Sequence, residues 1–269
     1  MCRTPFVDST VMTFLRYVAI GDSLTEGIGD PGPAGGHLGW ADRLAGILAE
    51  RQPEFTYANL AVRGKTSAQI RAEQLEPALA LRPDLVTVTA GMNDLVRARY
   101  DAAAAAANLE AMFARLTASG ARVATVSFPD LGRISPVARR VLPRILDLNA
   151  RLRTLTRRYD VALLDVFPEP FTGDPSLWST DRLHASPLGH ARIAAGMAHT
   201  LGFPGHADWN APLPPRSPAP ALHALGADLR WTLDHAGPWL WRRLRGRVPG
   251  DGVVAKRPRL EPMPPQRVA

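Results

Sequence analysis

The chain has 269 residues, 46% hydrophobic and 21% charged, an ordinary globular composition with room for one sizeable α/β domain and an appendage. A single cysteine, Cys2, excludes an internal disulfide and fits a reducing compartment. No run of about 18 consecutive apolar residues occurs, which excludes a transmembrane helix. The net charge of +7 gathers toward the C-terminus, where residues 203–269 hold 10 Lys and Arg against 5 Asp and Glu. Such a field bears on partners and solubility and leaves the fold open.

Residues 1–14 lack an apolar stretch of signal-peptide length and read as a disordered extension, so a cytoplasmic location is expected. The domain is expected over 15–202. Short apolar runs at Tyr17–Gly21, Phe55–Leu60, Leu85–Ala90, Val123–Phe128 and Val161–Asp165 have the unbroken character of parallel strands buried on both faces. Between and after them lie helical stretches at Trp40–Arg51, Thr66–Leu81, Asp101–Ser119, Pro136–Tyr159 and Pro187–Leu201. Five βα repeats imply a five-stranded parallel, doubly wound sheet covered on both faces, a three-layer α/β/α sandwich. From Phe203 the chain turns Pro-rich. Residues 203–220 read as a linker, and 221–247 as an amphipathic helical hairpin broken at Gly237-Pro238. Residues 248–269 read as a disordered basic tail.

Strand-to-helix loops of such a sheet gather along one edge, where ligands bind. Four short segments meet there. Ser23, in Gly21-Asp22-Ser23-Leu24, follows the first strand; Gly64 follows the second; Asn93, in Gly91-Met92-Asn93-Asp94, follows the third. Asp181 and His184 lie between the fifth strand and the last helix. A serine hydroxyl is a poor nucleophile until a base removes its proton, and a neutral imidazole does this near neutral pH. Asp181, three residues before His184, is spaced to hold the opposite ring nitrogen. The Ser23 and Gly64 N–H groups and the Asn93 amide could stabilise the oxyanion, each worth about 3 kcal/mol in comparable sites.

Each segment has a bland alternative. Ser23 alone is a helix cap, Asp22 a turn residue, Gly64 a turn glycine and Asn93-Asp94 a loop cap. His190 and His199 on the last helix read as packing or surface residues. Gly27 to Gly32 spells G-x-G-x-x-G, but Pro31, Pro33, Gly35 and Gly36 forbid the helix that a dinucleotide turn requires, leaving a mobile loop beside Ser23. It is the ordered set that carries the chemistry.

On these four segments the chain resembles the GDSL/SGNH hydrolases over roughly 15–202. The resemblance implies Ser23 as nucleophile, Asp181 and His184 as the rest of a triad, and Ser23, Gly64 and Asn93 as the oxyanion hole. It also implies a flavodoxin-like fold and cleavage of small acyl, acetyl or lysophospholipid-type esters, with no metal or cofactor. An O-acyltransferase on the same site, or an idle module acting through its tail, are the alternatives.

Substrate choice falls to the loops. Leu131, Ile134, Phe167, Phe171 and Trp178 are expected to line an apolar pocket, and Arg63, Lys65, Arg97 and Arg99 could favour an acidic ester. The hairpin's Trp231, Trp239 and Trp241 stand among arginines, which suggests peripheral membrane contact through 221–247 or docking onto the domain. Nucleic acid is not expected as a partner, because no recognition motif accompanies the charge.

Overall fold

The computed structural model describes residues 13–33, 35–134, 136–214, 250 and 252–263. In chain order they form β1 (Arg16–Gly21), α1 (Ser23–Glu26), α2 (Gly39–Ala49), β2 (Thr56–Asn59), α3 (Ser67–Ala80), β3 (Leu85–Thr89) and α4 (Met92–Leu95). Next come α5 (Ala102–Ala118), β4 (Arg122–Val126), α6 (Leu142–Arg158), β5 (Ala162–Leu164), α7 (Pro187–Thr200) and β6 (Arg257–Pro262).

The sheet order is β5-β4-β3-β1-β2-β6. The first five strands pair in parallel, as the βα alternation requires, and from β2 they run 2-1-3-4-5, the flavodoxin-like order. The chain reverses its winding between β1 and β3, and the cleft opens beyond the carboxyl ends of these two strands. Alternation within a strand assigns side chains to the two faces. Val18 and Ile20 pack on one face with α3, α5 and α6; Tyr17 and Ala19 pack on the other with α2 and α7. Trp40 and Phe113 are fully buried, one per face. Each such side chain contributes roughly 2–3 kcal/mol.

Helix ends follow local chemistry. Thr66 and Gln69 close a capping box on α3, and Asp101 caps α5 through Ala104 N–H at 3.0 Å. Ser186 caps α7, with Pro187 in the first turn. The helix expected from Pro136 begins at Leu142 instead, behind a 3-10 stretch over Pro136–Val141. Pro143 lacks an N–H and would clash inside a longer helix, so it is accommodated in the first turn.

Three expectations need correction. The sheet has six strands, because Arg257–Pro262, in the segment read as a disordered tail, pairs antiparallel with β2. Phe14, at the end of the expected N-terminal extension, is buried against Phe203 with ring centroids 6.2 Å apart. Phe203 and Trp209, from the stretch read as linker, are buried on the domain, Trp209 edge-on to Phe171 at 5.7 Å. Large aromatic side chains gain more by covering the sheet than a free linker could offer. The hairpin over 221–247 lies outside the described residues, as do 1–12, 215–220 and 264–269. No described helix is long and apolar enough to cross a membrane.

Candidate active site

The Ser23 turn is built from its neighbours' backbone needs. Gly21 ends β1 where a Cβ would fall 2.5 Å from Thr89 Oγ1, so only glycine lets the two strands approach. The Gln74 side chain brackets that glycine, accepting from its N–H at 2.8 Å and donating to its carbonyl at 2.9 Å. Asp22 is the cap of α1, accepting from Leu24 N–H at 3.2 Å, and Ser23 is the first helical residue.

Glu26, on the same short helix and 4% exposed, accepts from the Arg63 N–H at 2.7 Å and pairs with the Arg63 guanidinium. It thereby ties the Ser23 helix to the loop bearing Gly64. Gly64 has φ 79, a left-handed conformation that favours glycine. Neither the Ser23 N–H nor the Gly64 N–H makes a hydrogen bond among the described residues.

Asn93 sits on α4 behind Gly91, where a Cβ would meet Leu148 and Phe128. Its neighbour Asp94 accepts from Ser67 N–H and Oγ, both at 2.8 Å, and so anchors the turn to α3. The Asn93 amide donates to Lys65 O at 3.0 Å and to Asp22 Oδ2 at 3.1 Å, which engages both of its hydrogens. Asp22 is 3% exposed, and burial raises its carboxyl to about 6 despite the Leu24 hydrogen bond and the nearby charge of His184.

His184 and Asp181 lie on a tight loop rather than a helical turn. Ser179 N–H donates to His184 O at 2.8 Å, and Arg182 takes a left-handed φ of 55. Asp181 Oδ2 is 2.6 Å from His184 Nδ1, and Oδ1 accepts from Ser179 Oγ at 2.5 Å and from the His184 N–H at 3.0 Å. Burial opposes the charged form of Asp181. The hydrogen bond and charge of His184, with help from Ser179, outweigh it and hold the carboxyl well below the usual range. The short contact fixes the imidazole with Nδ1 toward the carboxylate and Nε2 left for other work.

All five sequence-predicted residues, Ser23, Gly64, Asn93, Asp181 and His184, line one cavity of about 400 Å³. Of the expected apolar wall, Leu131, Phe171 and Trp178 are present, while Ile134 and Phe167 are not. Ile28, Met92, Phe128 and Trp209 are among the further apolar residues that line it. Among the expected cations only Arg63 reaches the cavity, and its charge is met by Glu26; Lys65 pairs with Glu73 at 2.5 Å. An attraction for acidic esters therefore finds no support in these side chains.

The loop from Gly27 to Gly39 is pinned rather than free. Asp30 is ion-paired with Arg43 at 2.8 Å. His190, fully buried, accepts from Trp40 N–H on Nδ1 at 3.1 Å and donates from Nε2 to Ile28 O at 3.0 Å; His199 is exposed. The roles of Glu26, Gln74 and His190 were not legible in sequence, since their partners lie 37, 53 and 150 or more residues away.

Residues 19–192 match the model of the GDSL-like lipase/acylhydrolase family. No curated protein matches the chain in sequence. Among solved structures, TesA is similar with a TM-score of 0.58 and 22% identity over 70% of this chain and 98% of its own. Axe2, an acetylxylan esterase from Geobacillus stearothermophilus, has a TM-score of 0.59 and 20% identity over 72% of this chain and 96% of its own. The psychrotrophic esterase EstA from Pseudoalteromonas sp. has a TM-score of 0.56 and 20% identity over 69% and 96%. At these identities the likeness is one of fold.

Proposed function

The chain belongs to the GDSL-like lipase/acylhydrolase family, and we propose that it hydrolyses carboxylic esters through an acyl-enzyme on Ser23. His184 Nε2 takes the Ser23 proton as Oγ attacks the ester carbonyl. Asp181 stabilises the imidazolium that forms. Negative charge on the carbonyl oxygen is met by the N–H groups of Ser23 and Gly64 and by the Asn93 amide. Since both Asn93 hydrogens are engaged, the oxyanion takes over the longer of the two bonds, the one to Asp22. The imidazolium then protonates the departing alcohol, and a water activated by the same histidine releases the acid.

The observation that carries this reading is the 2.6 Å contact between Asp181 and His184 on the wall of the cavity that also holds Ser23. The mostly apolar wall favours an uncharged acyl group. A fluorophosphonate should label the wild type at Ser23 and leave Ser23→Ala unlabelled. That variant should lose about three or more orders of magnitude in kcat on p-nitrophenyl esters of graded chain length without a change in Tm. An unlabelled, inactive wild type would end the proposal.

A further inference from the structure

The returning C-terminal segment lies outside residues 19–192, yet it touches the site. Gly250 is buried against the Arg63–Gly64 turn, where a Cβ on residue 250 would fall 2.2 Å from the Arg63 carbonyl oxygen and 3.2 Å from Val62 Cγ1. Farther along, the Lys256 ammonium donates to His37 O at 3.1 Å and Leu38 O at 2.7 Å and pairs with Asp42. β6 then zips onto β2, with Arg257 over the Tyr57 ring at 5.7 Å.

The Arg63 carbonyl and the Gly64 N–H belong to one planar trans peptide and point in opposite directions. Whatever bears on the oxygen from behind sets where the N–H aims. The preceding peptides are pinned by hydrogen bonds, Val62 N–H to Gly21 O at 3.2 Å and Arg63 N–H to Glu26 at 2.7 Å. The Arg63–Gly64 peptide has no such bond among the described residues. A glycine at positive φ also tolerates rotation of the peptide before it. The backbone of Gly250 packs directly against the Arg63 carbonyl oxygen.

We propose that the C-terminal segment is a brace that aims the Gly64 N–H into the cavity, with Gly250 and Lys256 as its positioning residues. The inference rests on the ester-hydrolase reading of the same cavity. It makes residues outside the family match part of what this chain needs for turnover.

Two full-length variants test it. Gly250→Ala places a methyl against the Arg63 oxygen. Lys256→Met with Asp42→Asn removes both charges together, so no buried carboxylate is left alone. Each folded variant should lose between about tenfold and a hundredfold in kcat with KM held within about twofold. The Ki of a trifluoromethyl ketone, which presents an oxyanion, should rise in the same proportion as kcat/KM falls. Should Gly250→Ala not fold, the double variant decides alone. A folded variant with wild-type kcat and unchanged ketone affinity would overturn the brace and leave the hydrolase intact. Absence of ester hydrolysis in the wild type would overturn both.

Discussion

Asp22 is a buried carboxyl kept beside Ser23, the proposed nucleophile, at a cost. Its value rises from 3.8 to about 6 because burial withholds solvent from the charged form. Folding therefore favours the protonated acid: its contribution is full below 3.8 and is lost as pH rises through 6. Asp22→Asn, which cannot ionise, should be more stable than wild type above pH 6, by up to about 3 kcal/mol. The gain should vanish below pH 3.8, and thermal melts at the two extremes read it directly. An equal gain at both would mean that ionisation of Asp22 is not its source. At this scale the sequence made much legible. Residue types and order in Ser23, Gly64, Asn93, Asp181 and His184 match what acyl transfer would require, and the structure brings the five to one cavity. It could not show that Asn93 holds Asp22, because 71 residues separate them and neither spacing nor periodicity links the pair.

Between elements, the loop after α1 and the loop before α7 lock through a glycine. Gly29 has φ 97, and a Cβ there would lie 2.1 Å from Ala185 O and 3.3 Å from His184 Cβ. Gly29→Ala should cost roughly 1–2 kcal/mol from the backbone angle alone and more from the overlap. It should also lower kcat by displacing the His184 loop. Gly35→Ala, on the same loop at φ 87 with no atom within 4 Å, carries only the backbone cost and should keep its kcat. Urea denaturation and ester turnover of the pair separate the two effects; equal kcat losses would mean the loop acts otherwise. The strands and long helices were readable from their apolar runs and caps. β6 was not, since Arg257–Pro262 alternates no apolar face and contains two prolines, a pattern suited only to an edge.

Across the molecule, buried titrating groups pull against one another as pH falls. Burial lowers His190 from 6.5 to about 4. Its neutral form is the one folded, so its contribution is present above 6.5 and is lost as pH falls toward 4. Asp22 gains over nearly the same window, and Asp181, held low by His184, loses only once pH falls below 3.8. His190→Gln keeps one donor and one acceptor between Trp40 and Ile28 but does not titrate. Relative to wild type it should improve by about 3 kcal/mol as pH drops across that window, as followed by denaturant melts. A constant difference would remove His190 as the source of acid lability.

The sequence by itself determined the layered α/β architecture and singled out five residues that the structure gathers around one cavity. Both follow from local causes: periodicity, caps and the small set of side chains that can move a proton and hold an oxyanion. Only the tertiary structure decided what aims them. The Glu26 clamp, the His190 tie and the C-terminal brace join segments distant in sequence. Such pairings arise when the sheet brings backbone groups together, and nothing in the intervening residues announces them.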